Sequence, residues 1–509
     1  MLVFIIRRLI VSFFVLLVAT FIVYNLTALS GDPLFDLRQS QAPNREALIE
    51  QRIEIMQLEV APPLRYLGWL QGVGGCILPF VECDLGQNRF GQDVSAILAL
   101  AMGQTLRLVL TAALVAIVVG ITIGIVSALR QYSGFDYSIT FAAFVFFSLP
   151  SFWVAVLLKQ YGAIAFNDWL RDPVIPIPVV VGVALFSALF WMAVLGGDAK
   201  RRLITFASAG GATAAVLVYL SVVRWFKTPS LGIALIAVSA IGIAFLMTTL
   251  VSGLAKRRVL YASLLAAAGG IISFFATQPV LINPTWWHIL MLAAITIAVC
   301  AGIGYLVGGL DKPQAARSAV LTGLLTGGLI FWDHVLLAVP AYSGRVAGRV
   351  ISTIGSNTPN YDGDFWGRYV DTQTHIILPT VALILISFAT YTRYTRASML
   401  EVMNQDYVRT ARSKGLTERT VVMRHAFRNA LIPVTTLMAF DFAGIVGGAV
   451  ITEKVFGWDG MGTMFREGLE LVDPNTVMAF FIVTGTAIVV FNMIADILYA
   501  YLDPRIRLS

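Results

Sequence analysis

The sequence predicts an all-α integral membrane protein. Three observations carry that prediction: a low charge content, apolar runs of membrane-crossing length, and basic clusters placed beside those runs. Of 509 residues, 58% are hydrophobic and only 13% charged, with a mean hydropathy of +0.80. A soluble domain carries about 25% charged residues. The charge present covers the rims of a membrane bundle but not the surface of a globule this size. Apolar runs of roughly 20 residues recur along the chain, each long enough to cross the hydrocarbon core as a helix. The net charge of +7 comes from Lys and Arg at the edges of these runs, where the positive-inside rule puts them. It argues for a lipid bilayer and against a nucleic-acid partner.

The first span, 9–28, follows Arg7 and Arg8. It is expected to stay uncleaved with its N-terminus inside, because a signal peptide has a shorter apolar region and a small-x-small cleavage site. Residues 30–94 are expected outside, helical from Asn44 to Leu58 and broken at Pro62-Pro63. Cys76 and Cys83 share this region, and an oxidising exterior favours a local disulfide over two separate thiols; Cys300 lies inside an apolar run. The remaining spans are predicted at 95–129, 137–165, 175–197, 203–223, 231–254, 259–281, 288–309, 318–339, 375–399, 430–451 and 476–500, twelve in all. The second is long enough to begin outside the membrane. Alternation puts Lys200-Arg201-Arg202, Lys256-Arg257-Arg258 and the polar segment 401–429 inside, and a polar loop, 340–374, outside.

Little in the chain suggests chemistry. No Gly-Lys dipeptide occurs, so there is no Walker A loop to cradle ATP. The four histidines, His288, His334, His375 and His425, lack metal-ligand spacing. No metal site, resident cofactor, catalytic residue or enzymatic activity is expected. Ionisable groups within spans are the default functional candidates: Asp333, His334, Asp441 and Asp496. Asp333-His334 would be the coupling-ion site of a twelve-span secondary carrier. Adjacent helix residues point in different directions, so polar contacts between helices explain them better.

The polar island Glu401–Asn429 stands out. Asp406 to Lys414 has helix-compatible composition, and Gly415 is a C-terminal stop. Thr417 can cap a second helix from Glu418, and Pro433 is expected in the first turn of the next span. Arg409, Arg412, Lys414, Arg419, Arg424 and Arg428 make the island basic. Helix, turn and helix together predict a folded docking element for a partner protein rather than a loop that only meets lipid headgroups.

The run Asp406-Tyr407-Val408-Arg409-Thr410-Ala411-Arg412-Ser413-Lys414-Gly415-Leu416, with Arg424-His425-Ala426-Phe427-Arg428-Asn429 and Pro433, resembles the cytoplasmic coupling loop of ABC importer permeases of the dipeptide/oligopeptide/nickel type. Gly31-Asp32-Pro33, Cys83-Asp84-Leu85-Gly86, Ser148 to Trp153, His375 to Pro379, Thr395 to Leu400, Gly448 to Glu453, Gly460-Met461-Gly462 and Asp503-Pro504-Arg505 are similar to other segments of that family.

The resemblance implies a six-helix permease core in two halves, 1–165 and 371–509, with about six extra spans inserted over 166–370. It implies that Asp406, Tyr407, Arg409, Thr410, Ala411, Arg412, Lys414, Gly415 and Leu416 couple to an ATPase. Arg424, His425, Arg428, Asn429 and Pro433 would support the loop. The implied function is permease subunit of a peptide importer in the cytoplasmic membrane, with nickel or another small solute as the alternative cargo. Both termini would be cytoplasmic. The implied partners are a second homologous permease, two ATP-binding-cassette ATPases that hold the ATP and Mg, and an external substrate-binding protein. The resemblance assigns no residue to substrate binding.

Overall fold

The computed structural model describes residues 2–77 and 83–502. Asp503-Pro504-Arg505 and the side chain of Asp496 lie outside the described residues. The described chain is helical, with a single isolated bridge between Gln87 and Asp93. Among the described residues, ten helices are long and apolar enough to cross a membrane, or eleven if one bent pair counts as a span. The eleventh predicted span, 430–451, falls on a helix, Phe427–Gly448, several of whose side chains are outside the described residues.

Helix α1 (Leu2–Leu29) leads to α2 (Phe35–Gln39), α3 (Arg45–Met56) and α4 (Pro62–Ile77). Helix α3 ends at Gln57, which is left-handed at φ 51°. Pro62 and Pro63 therefore open α4 rather than break α3, as suits a residue tolerated in a first helical turn. Arg89 ties this region to the other end of the chain. Its guanidinium donates to the Leu471 carbonyl at 2.9 Å and to Asp36 at 2.5 Å, and its backbone N–H donates to Asp473 at 2.9 Å. Arg52 also pairs with Asp36 at 2.6 Å. Partial burial pushes the Asp36 carboxyl up, but the hydrogen bonds and charges of Arg52 and Arg89 outweigh it and hold the carboxyl below the usual range.

The structure joins Cys76, near the end of α4, to Cys83 in a disulfide with Cα atoms 4.2 Å apart. Intact-mass measurement of the purified, denatured protein should show one added group, on Cys300, after alkylation without reductant, and three after reduction. Three thiols alkylated without reductant would reject the bridge.

Helix α5 (Val94–Leu129) has 36 residues, ~54 Å at 1.5 Å per residue, against a hydrocarbon core of ~30 Å. Asp93 caps it by accepting the Ser95 N–H at 2.9 Å. The predicted span 137–165 is corrected. It is a bent pair, α6 (Gly134–Ser148) and then α7 (Ser151–Leu157) with a π-helical turn (Leu158–Ala165) and α8 (Phe166–Leu170), the two parts at 103°. The bend falls at Leu149-Pro150, where the proline ring forces the preceding residue out of the helical region; Leu149 is extended at φ −79°, ψ 131°.

Next come α9 (Ile177–Leu195) and α10 (Ala199–Val222), which pack on each other, with α9 also touching α6. Helices α11 (Gly232–Val251), α12 (Arg257–Ala276), α13 (Gln278–Leu281), α14 (Trp286–Val307) and α15 (Lys312–Arg345) form a bundle in which α15 packs against α11, α12 and α14. Cys300 is buried in it beside Ala262, Ala266 and Ala319. His288 completes a capping box, its Nδ1 accepting the Thr285 N–H at 3.0 Å.

The loop predicted over 340–374 is shorter than expected. Helix α15 runs on to Arg345, and α16 (Phe365–Met403) starts ten residues before the predicted 375. The extra turns hold because their polar groups are satisfied. Asp364 caps α16, and buried Asp371 accepts from the Tyr342 hydroxyl at 3.0 Å and the Thr358 hydroxyl at 2.5 Å.

The chain then forms α17 (Asp406–Ser413), α18 (Glu418–Thr420), a π-helical turn (Val421–Ala426), α19 (Phe427–Gly448), α20 (Val450–Phe456), α21 (Met461–Glu470) and α22 (Pro474–Leu502). The α5–α16 pair is the most extensive packing interface. It closes tightly because Gly120 and Gly124 face Tyr391 and Thr395. A Cβ at those glycines would stand 2.6 Å and 2.8 Å from the partners' Cβ atoms. Helices α1 and α19 pack on α22, and α19 also packs on α16.

Candidate functional site

The sequence-predicted docking element sits at the C-terminal ends of α5 and α16. Gln405 precedes α17 in extended conformation, and α17 ends at Ser413, two residues before Gly415, which is left-handed at φ +74° and whose N–H donates to the Arg412 carbonyl at 2.9 Å. Thr417 is the N-cap of α18, its hydroxyl accepting the Thr420 N–H at 3.4 Å. Arg412 grips Glu418 with two bonds, Nη2–Oε1 at 2.7 Å and Nε–Oε2 at 3.2 Å. That pair spans the glycine turn and fixes the angle between its two arms. The Arg412 hydrogen bond holds the Glu418 carboxyl below its usual range, and Glu418 raises Arg412 in turn.

Beneath the polar face lies a small apolar core. Val408, Ala411, Val421, Val422 and Ala426 are buried together with Met399 of α16 and Ala128 of α5. The element is therefore clamped on the ends of the two helices that pack most closely. Asn429 donates to the Tyr407 hydroxyl at 2.9 Å, tying α17 to the start of α19.

Of the predicted docking residues, Asp406, Tyr407, Arg409, Thr410, Arg412, Lys414, Gly415 and Leu416 are exposed on one continuous stretch. Ala411 is not: at 4% exposure it faces the element's own core, because it stands one helical turn from buried Val408. It supports the surface from below and is not part of it. Arg424 and His425 lie in the π-helical turn, with Arg424 and Arg428 exposed. Pro433 is also corrected. It lies within α19, not in its first turn, because the π-helical turn leads into α19 at Phe427 without a break.

Sequence reasoning missed the supports around the element. The Asp136 side chain, 2% exposed, takes a bidentate grip from Arg396, Nε–Oδ1 at 2.6 Å and Nη2–Oδ2 at 2.8 Å. The Ser127 hydroxyl donates to the same carboxylate at 2.5 Å and the Tyr132 N–H at 3.1 Å. This cluster pins the α5–α6 turn to α16 just before Met399. A second buried carboxylate, Glu453, accepts from the Thr105 hydroxyl at 2.7 Å and the Thr463 N–H at 3.1 Å. It holds the α20–α21 corner against α5. Arg419 donates to the Leu250 carbonyl at the end of α11, linking the element to the bundle.

The residues proposed for an ion-coupled carrier do other work. Asp333 accepts the N–H groups of Leu231 and Gly232 at 2.7 and 3.0 Å, capping the entry to α11. His334 bonds the Ile330 carbonyl at 3.0 Å and stacks on Trp366. Neither side chain engages the other, and the pair makes no relay.

Residues 262–508 match the family described as binding-protein-dependent transport system inner membrane component. The oligopeptide transport system permease protein OppB of Mycobacterium tuberculosis (strain ATCC 25618 / H37Rv) is 44% identical over 196 residues, 38% of this chain and 60% of the relative. The oligopeptide transport system permease protein AppB of Bacillus subtilis (strain 168) is 35% identical over 227 residues, 43% of this chain and 68% of the relative. The dipeptide transport system permease protein DppB of Escherichia coli (strain K12) is 34% identical over 239 residues, 42% of this chain and 70% of the relative. The chain thus spans less than two thirds of the length of the mycobacterial relative and slightly more of the other two.

Proposed function

Because this chain belongs to the family of binding-protein-dependent transport system inner membrane components, we propose that it is a permease subunit of an ATP-driven importer of peptides. The observation that carries this reading is the exposed face of residues 406–416, standing on a buried apolar core at the joined ends of α5 and α16. A surface so mounted moves as one body with the two helices beneath it. Two ATPase subunits, holding the ATP and Mg, would grip it. Their closure would then drive the core between two packings, as bistable helix interfaces allow.

In this reading the 406–426 element and both termini are cytoplasmic. Residues 30–94 and the 346–364 loop face outside, where a substrate-binding protein delivers the peptide. The path runs between this chain and a second, homologous permease. Residues 1–165 and 371–509 are the core, and 166–370 an insertion. The self-packing of α9 with α10, and of α11 to α15, supports that division. Peptide cargo follows from the oligopeptide and dipeptide names of the relatives.

The test is reconstitution in proteoliposomes with the second permease, the ATPases and the binding protein. Uptake of a radiolabelled tripeptide should require ATP and all the subunits. Uptake by this chain alone, driven by a proton gradient, would overturn the reading in favour of a secondary carrier.

A further inference from the structure

Two adjoining cavities open at the end of the bundle opposite the 406–426 element. The outer one, about 460 Å³, lies between α5, the α13–α14 connection and the start of α16. Arg107 and Arg368 both line it, together with Thr285 and Thr372, and no acidic side chain does. Neither guanidinium forms an ion pair among the described residues. An arginine within a membrane-spanning helix is normally paired or functional, and Arg107 lies within the α5 span.

The inner cavity, about 370 Å³, lies among α12, α14, α15 and α16 and is walled mainly by apolar and small side chains. Its volume is within the range of about 300–1,000 Å³ usual for small-molecule sites. Trp286 and Tyr369 line both cavities, their ring centroids 5.9 Å apart. From Trp286 the inner cavity follows α14 as far as Thr296, ~15 Å along the helix. At Gly327 and Gly328 of α15, both on its wall, a Cβ would meet no atom within 4 Å. The space is open, elongated and apolar, with two cations at its mouth.

We propose that these cavities together hold one anionic phospholipid, its phosphate between Arg107 and Arg368 and an acyl chain in the inner cavity. Charge complementarity at the mouth selects the anionic head, as basic pockets between membrane helices do. The apolar chamber selects the chain. The site joins α12, α14 and α15 to α5 and α16, so an occupying lipid would brace the bundle against the core. The proposal concerns binding and stands apart from the peptide-import reading.

The test uses the full chain in nanodiscs of phosphatidylcholine doped with brominated phosphatidylglycerol or brominated phosphatidylcholine. Quenching of Trp286 fluorescence is isolated by difference against Trp286→Phe. Half-quenching should need roughly tenfold less phosphatidylglycerol than phosphatidylcholine. Arg107→Gln with Arg368→Gln should erase that preference. Gly328→Leu, whose Cβ would meet no atom within 4 Å and whose side chain would occupy the inner cavity, should remove the Trp286 quenching by either lipid. Equal quenching by both lipids in the unaltered chain, or variants that quench like it, would overturn the proposal. So would displacement of the brominated lipid by a tetrapeptide with a free carboxylate but not by its amide, which would assign the site to peptide.

Discussion

Gly415→Pro is expected to abolish peptide uptake by the assembled importer while leaving the chain in the membrane. Gly415 sits at φ +74° and its N–H donates to the Arg412 carbonyl at 2.9 Å. Proline is fixed near φ −65° and has no N–H, a mismatch of about 3 kcal/mol or more. The turn must then open and α18 must leave its place. Arg412 and Glu418, 2.7 Å apart across the turn, would separate, and the exposed face would lose its shape. A penalty of that size lowers the population of correctly folded docking elements by about two orders of magnitude, and uptake should fall with it. A graded series separates backbone geometry from side-chain bulk, since a Cβ at Gly415 would meet nothing within 4 Å. Asn, which tolerates the left-handed region, should retain the most uptake. Ala should lose roughly tenfold, from a strain of about 1–2 kcal/mol. Pro should lose nearly all. The measurements are ATP-dependent uptake in proteoliposomes and co-purification of the ATPases. Wild-type uptake by the proline variant would reject the turn as the source of coupling.

The glycine turn was legible because its signals are local: Gly415 ends one helix and Thr417 starts the next. The spans were legible because an apolar run of the right length has few other uses. Their ends were not. Helix α16 begins at Phe365 rather than near 375 because Asp371 finds the hydroxyls of Tyr342 and Thr358 in the folded chain, and no local pattern announces those partners. The break at Leu149-Pro150 had a signal, the residue before proline, but a continuous apolar run concealed it. The resemblance counts Ala411 among the coupling residues by its place in the motif, although its three-residue spacing from Val408 marks the buried stripe of a short helix. The ion pair of Asp136 with Arg396 spans 260 positions and could be found only in three dimensions.

That ion pair carries the largest stability effect expected in the chain. Arg396→Leu removes both bonds to a carboxylate whose side chain is only 2% exposed. The Ser127 hydroxyl and the Tyr132 N–H remain, but no cation does. Leaving a buried charge without its partner typically costs about 3–5 kcal/mol. The loss would fall on the α5–α6 turn and on α16 next to Met399, the floor of the docking element. Arg393 nearby stacks on Phe147, 4.1 Å from its ring centroid, and so is already engaged in holding α6 to α16. Asp136→Leu alone should be milder, because the Arg396 side chain is 26% exposed and can turn toward water. Replacing both members with leucine should recover most of the stability, since an apolar pair of similar volume is often neutral relative to a buried ion pair. A double-mutant cycle on thermal unfolding of the purified chain measures this directly. If the two single losses simply add in the double variant, the pair is not coupled and the clamp assigned to it does not exist.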